Sequence, residues 1–325
     1  MNYVTYQQRD CFTGCIVNGL RALDADVSEA DVLLYGGGFR IRYKTITLKD
    51  NSKYLIYGEL REACLAFLDK IGIRYELSEL GSKESALEKF RAAKAQGANV
   101  MFSVRADCIG YDPIFKQAVD STHCLNILGI DEAAGTAIVS DGYIPTTPIT
   151  HFEGEMPLER LLDGHSATSC QTLVIYPPEK PVAFRQSDES AIIRGVLERY
   201  LLAERDGENY TGYMAIQQLC SDLENIKDWD RQRFRDKLMD LNTVYKTWGF
   251  IGSKRILAEL CRERAALVQY YDEMNDIAEK WNGLSRFIVK AAISGRPAMI
   301  GQLQEKTAAL IEQEKELYGR ILRHI

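Results

Sequence analysis

The chain has 325 residues, 46% of them hydrophobic and 26% charged, which excludes a disordered tail and a small disulfide-stapled domain and predicts one or two domains with full cores. Its 40 Lys and Arg stand against 46 Asp and Glu, a net charge of −6. No basic surplus exists to gain counterion-release energy from a phosphate backbone, so nucleic acid is not an expected partner. The opening MNYVTYQQRDCFTGC lacks the basic start and apolar run of a secretory leader, and no run of about eighteen apolar residues occurs, so a cytoplasmic protein with no membrane partner is expected. The cysteines at 11, 15, 64, 108, 124, 170, 220 and 261 are too dilute for a disulfide scaffold, and most read as small buried hydrophobes.

In chain order, Ile16, Gly19, Leu20 and Leu23 fall on one helical stripe, so Asp10 is placed to cap a helix whose first turn contains Cys11. A second stripe, Leu60, Cys64, Phe67, Leu68 and Ile71, closes at Gly72, and a helix over Ser85 to Ala95 closes at Gly97. ANVMFSVRA, CLNILGID and TAIVSDGY then read as strands, the last two joined by a turn at Asp131, Glu132 and Gly135 and therefore antiparallel neighbours. Pro177, Pro178 and Pro181 mark a boundary. Beyond it, stripes including Val196 and Leu201, Leu219 and Leu223, Phe234 and Leu238, Leu257 with Leu267 and Val268, Trp281 and Ile288, and Leu310 and Leu317 predict packed helices, with Gly295 and Pro297 dividing the last two. The expected organisation is α+β over 1–176 and a helical domain over 185–325, a compact bundle or one that forms a homodimer.

Only four histidines occur, at 123, 151, 165 and 324. His123 opens one strand and Asp141 closes the next, so an antiparallel pair brings both to one end of a sheet. The carboxylate would fix the imidazole tautomer and the ring would face a thiol. Cys11 is the first candidate, because unpaired N–H groups and the positive end of the dipole at a helix start favour thiolate, whereas the charge of Asp10 opposes it. Cys15, one turn on, is the second candidate or a pocket wall. An anionic oxygen formed on attack needs donors, and Gln7 and Gln8 are the upstream amides. The bland alternative is that both cysteines pack a helix, His123 sits at a strand edge and Asp141 makes a turn.

The segments DCFTGCIVNGLRAL, SEADVLLYGGGFRIRY, VRADCIGYDPIF and HCLNILGIDEAAGTAIVSDGY together resemble the N-terminal domain of the butirosin biosynthesis protein H family, a papain-like group related to the peptidase C39 fold. The similarity covers roughly the first 145 residues in order and spacing. The helical remainder is a looser match, at GYMAIQQL and around Trp281. The resemblance implies a papain-like α+β domain whose nucleophile carries onto Cys11 and whose histidine and aspartate carry onto His123 and Asp141. It also implies acyl transfer from the phosphopantetheine thioester of an acyl or peptidyl carrier protein, through Cys11, to a small-molecule amine in natural-product biosynthesis, with part of the acceptor pocket supplied by the helical domain. No cofactor bound by the enzyme itself and no metal are implied, since the thioester is already activated. Papain-like enzymes usually carry an oxyanion glutamine about six residues before the nucleophile, where this chain has Thr5. A cysteine peptidase, amidase or thioester hydrolase, and an inactive papain-like interaction module, are the alternatives.

Within that resemblance Gly37 and Phe39 belong near the acyl pocket, although YGGGFRIRY lacks the spacing of a phosphate loop and reads more simply as a turn. Asp107 and Tyr111 match polar and aromatic positions that could orient an amine or a pantetheine amide, or make a turn. His151 and His165, with Glu153 or Asp163, invite a weak metal reading in an apparent loop, or a lid. Arg40, Arg42 and Lys44 form a candidate basic patch for an acidic carrier protein.

Overall fold

The computed structural model describes residues 3–325 apart from 49–50, 118–120, 147, 185–187, 203, 208 and 248. Helices α1 (Cys11–Ala22) and α2 (Glu29–Tyr35) lead into a hairpin, β1 (Ile41–Leu48) and β2 (Asn51–Gly58). There follow α3 (Leu60–Lys70), β3 (Tyr75–Glu79), α4 (Lys83–Ala95), β4 (Asn99–Arg105), β5 (Thr122–Asp131), β6 (Thr136–Ile144), β7 (Thr150–Pro157), α5 (Leu158–Ser166) and β8 (Gln171–Ile175). The rest is mainly helical: α6 (Glu189–Leu201), two short strands β9 (Arg205–Asp206) and β10 (Asn209–Thr211), then α7 (Gly212–Asp222), α8 (Arg231–Thr247), α9 (Phe250–Glu263), α10 (Tyr271–Ser294) and α11 (Ala298–His324). An α+β region thus precedes a mainly helical one. Among the described residues no helix is long and apolar enough to cross a membrane.

Two compact units form, and they do not divide the chain at one point: Met1–Gly36 with Arg61–Arg185, and Gly37–Leu60 with Gln186–Ile325. In the first unit six antiparallel strands run in the order β3-β8-β4-β5-β6-β7. β4 is buried on both faces from Asn99 to Val104, which is why NVMFSVR does not alternate apolar with polar residues. Val100, Phe102, Leu125, Ile127 and Val139 join Phe90 of α4 and Leu161 of α5 in one core, while α1 packs on β4, β5 and β6 with Ile16, Val17 and Leu20 wholly buried. Asn126 pairs with Ser140 across β5 and β6. Continued toward the start of β5, that register makes Asp141 the diagonal neighbour of His123 on one face.

In the second unit β1 lies between β2 and β10 in a four-stranded sheet of order β2-β1-β10-β9, and α10 packs on α8, α9 and α11. Gly295 ends α10 in the left-handed region at φ 61° and α11 starts after Pro297. A buried ion pair, Lys254 Nζ to Glu314 Oε1 at 2.6 Å, is shared with the hydroxyls of Tyr200 and Tyr318.

Residues 37–60 group with the helical unit, because the edge of β1 takes β10 as its partner, with Arg42 opposite Thr211. Gly37 and Phe39 therefore lie in a different unit from Cys11, and Phe39 is buried at φ 66°. Arg40 and Arg42 both pair with the single carboxylate of Glu59, which offsets one of their two charges. Residues 151–165 are not a loop or lid but β7 and α5, packed on the sheet. Val268, placed on an apolar stripe by its spacing, is 55% exposed.

Candidate active site

Asp10 caps α1: its Oδ1 accepts from the backbone N–H of Phe12 and of Thr13, each at 3.0 Å, and from the Thr13 hydroxyl. The cap takes up the helix-start donors that would otherwise favour a thiolate at Cys11, the first residue of the helix. Beneath it, buried Glu29 accepts from the backbone N–H of Arg9 at 2.7 Å, that of Asp10 at 3.2 Å and the Thr13 hydroxyl at 2.6 Å. Three donors on one carboxylate hold the segment entering α1. Burial pushes the Glu29 carboxyl up to about 8 against those donors.

His123 Nε2 lies 2.9 Å from Asp141 Oδ2, with His123 5% exposed and Asp141 wholly buried. Cys11 is among the groups whose charge acts on the ring. Burial opposes its charge, but the Asp141 carboxylate, hydrogen-bonded to the ring, and the Cys11 sulfur push His123 up to about 10. Cys11 is pushed well above the ordinary thiol value by the Cys124 side chain, by burial and by the charge of Asp10, with His123 pulling the other way. The two directions compete for the same site. The buried carboxylate at 2.9 Å favours the charged form of the ring.

Cys15 is not part of this contact. It is 2% exposed, and its Sγ donates to the Cys124 carbonyl at 3.2 Å, so it packs α1 onto β5 as a buried wall. Gln7 is exposed and Gln8 buried. The Gln8 backbone N–H bonds the Gly142 carbonyl at 2.7 Å, and its amide donates to Asn18 Oδ1 at 3.0 Å. Gln8 can lie flat on α1 only because residue 14 is glycine: a Cβ there would stand 2.7 Å from Gln8 Cβ. The residue at the usual oxyanion-glutamine spacing, Thr5, is engaged by Ser140 at 2.7 Å and by Glu153.

Asp107 pairs with Arg105 at 2.5 Å, and its carbonyl accepts from Arg160, which is the turn role. Tyr111 turns inward: its hydroxyl donates to Asp141 Oδ2 at 2.6 Å, a contact that spacing along the chain does not signal. Spacing likewise does not signal Cys124, which acts on Cys11, or Glu29, which holds the segment entering α1. The β5 register offers a route to Cys124, since it follows His123 directly, while Glu29 carries no local signal. His151 is exposed on β7, whereas His165 is buried, stacked on Phe102 at 3.9 Å and bonded to the Ser103 carbonyl and the Thr172 hydroxyl. Glu153 is taken by Thr5 and Asp163 by Lys83. No group of three metal-ligating side chains occurs among the described residues.

No family model matches the chain, and no curated protein matches it. Among solved structures it is similar to the crystal structure of a "putative C39-like peptidase from Bacillus anthracis", at 14% identity and a TM-score of 0.36, over 55% of this chain and 96% of that one. At that level of overlay the functional reading rests on the residues and contacts of the site itself.

Proposed function

We propose that the chain is a cysteine-dependent acyltransferase, with Cys11 as nucleophile, His123 as acid and base, and Asp141 holding the ring. The observation that supports this reading is the buried His123–Asp141 pair at 2.9 Å, with Cys11, the first residue of α1, among the groups that act on the ring. With Nε2 engaged by the carboxylate, Nδ1 is the nitrogen that exchanges a proton with sulfur. Transfer of the thiol proton to Nδ1 leaves thiolate beside imidazolium. The sulfur attacks a thioester carbonyl, the donor's C–S bond breaks, and the departing thiolate takes the ring proton. An amine then attacks the acyl-enzyme, neutral His123 takes the nitrogen's proton, the C–N bond forms and the Cys11 thiolate leaves. The backbone N–H of Cys11, which lies outside the pair bonded by Asp10, is assigned to the oxyanion, with the Gln8 amide as the side-chain donor.

The resemblance of the motif residues supports a donor carried on the phosphopantetheine arm of an acyl or peptidyl carrier protein and a small amine acceptor. Intact-mass measurement after incubation with a small acyl thioester of N-acetylcysteamine tests the core of the reading. The expected outcome is one acyl group on the peptide containing Cys11, absent in Cys11→Ala and formed about a hundredfold more slowly in His123→Ala. No adduct on the folded wild-type chain sinks the enzyme reading in favour of an inactive interaction module. Release of free acid alone, with amine in excess, assigns a hydrolase instead.

A further inference from the structure

Asp141 Oδ2 receives two donors. The Tyr111 hydroxyl approaches it at 2.6 Å and His123 Nε2 at 2.9 Å, while Oδ1 accepts from the Tyr143 backbone N–H at 2.9 Å. The Tyr111 ring is held on two sides: it lies flat against Phe152, with centroids 4.0 Å apart and planes at 7°, and it meets Phe115 edge-on at 5.7 Å. Phe115 in turn leans against the His123 ring at 4.9 Å. An aromatic enclosure therefore aims the hydroxyl at the same oxygen that serves the imidazole. Burial, and then the neighbouring carboxylate, push the phenol well above its ordinary value, so it stays a donor.

We propose that Tyr111 is a positioning residue that shares the charge of Asp141 with His123 and so limits the basicity of the ring. Its functional meaning rests on the acyl-transfer reading. A carboxylate oxygen that already accepts a short hydrogen bond presents less charge to a second donor. The ring in this chemistry must give a proton to one leaving group and then take one from an amine. A ring held too firmly as imidazolium completes the first half-reaction and stalls in the second. The substrate-orienting role expected of Tyr111 is replaced by one exerted through Asp141.

The test is Tyr111→Phe, which keeps both ring contacts and removes only the hydroxyl. The midpoint of the His123 ring, followed by its nitrogen resonances in the intact chain, is expected to rise by about half a unit to one unit. In the Asp141→Asn background the same substitution is expected to leave the midpoint where it was. On the acyl-enzyme, release to an amine below that midpoint is expected to slow by about threefold to tenfold, with the pH profile displaced upward. An unchanged or lowered midpoint in Tyr111→Phe overturns the proposal, as does an equal displacement in the Asp141→Asn background, which marks a purely structural effect. Absence of any acyl-enzyme alongside the expected midpoint shift rejects acyl transfer and leaves the charge sharing standing.

Discussion

The sulfur of Cys11 sits under opposed influences that can be separated by substitution. The Cys124 side chain, burial and the Asp10 carboxylate favour the thiol, while the imidazolium of His123 favours the thiolate. Cys124 is itself held in place, its Sγ 3.8 Å from the Ser103 hydroxyl and its carbonyl bonded by Cys15. A raised thiol pKa means the nucleophile appears only as pH climbs, so the rate of Cys11 alkylation by iodoacetamide is expected to go on increasing beyond the ordinary thiol value of 9.0. Cys124→Ala removes the largest of the three opposing influences and is expected to move the whole rate profile to lower pH. Peptide mapping of the alkylated site across pH in both proteins checks this; coincident profiles exclude Cys124 as a control on the nucleophile.

At the scale of elements, α5 carries the clearest linkage between pH and stability. His165 stands near its end, wholly buried, with Nδ1 2.8 Å from the Ser103 carbonyl and Nε2 3.2 Å from the Thr172 hydroxyl. Burial drives its pKa from 6.5 down to about 4. The unfolded chain therefore takes up this proton at a higher pH than the folded one. The contribution is complete above pH 6.5 and is lost as pH falls through 4, a total of about 3 kcal/mol. Denaturant midpoints measured between pH 7 and 4 are expected to fall more steeply for the wild type than for His165→Gln, which has no ring to titrate; equal slopes count against it. This helix was legible in principle: Leu158, Leu161, Leu162 and His165 repeat at helical spacing, but the preceding FEGEMP, which forms β7, obscures the period. α1 and its Asp10 cap were readable because both lie within one turn. The His123 and Asp141 pair was readable because the β5 and β6 turn sets a register. Glu29 and Tyr111 reach the site region through tertiary contacts with no fixed offset from Cys11, so no local pattern could place them.

At the scale of the whole molecule, the path of the chain decides which pieces can fold alone. The helices from α6 onward follow from apolar spacing in 185–325, yet their unit is incomplete without the hairpin at 37–60. Tyr43 donates to Asp222 Oδ2 at 2.5 Å, Thr45 to the same oxygen at 3.2 Å, and Tyr54 to the Asp222 carbonyl at 3.0 Å. Lys237 Nζ, on a side chain 3% exposed, stands 3.9 Å from the Tyr54 ring centroid. Removing the hairpin would uncover a buried cation, leave a carboxylate without its hydroxyl donors and open one edge of β10. A fragment of residues 186–325 is therefore expected to be helical but without a cooperative thermal transition, whereas the same fragment joined through a Gly/Ser linker to 37–60 is expected to regain one. Circular dichroism melting of the two fragments beside the full chain decides the matter. A cooperative transition in the shorter fragment, equal to that of the longer, would show that the hairpin is an appendage of the helices and not part of their core.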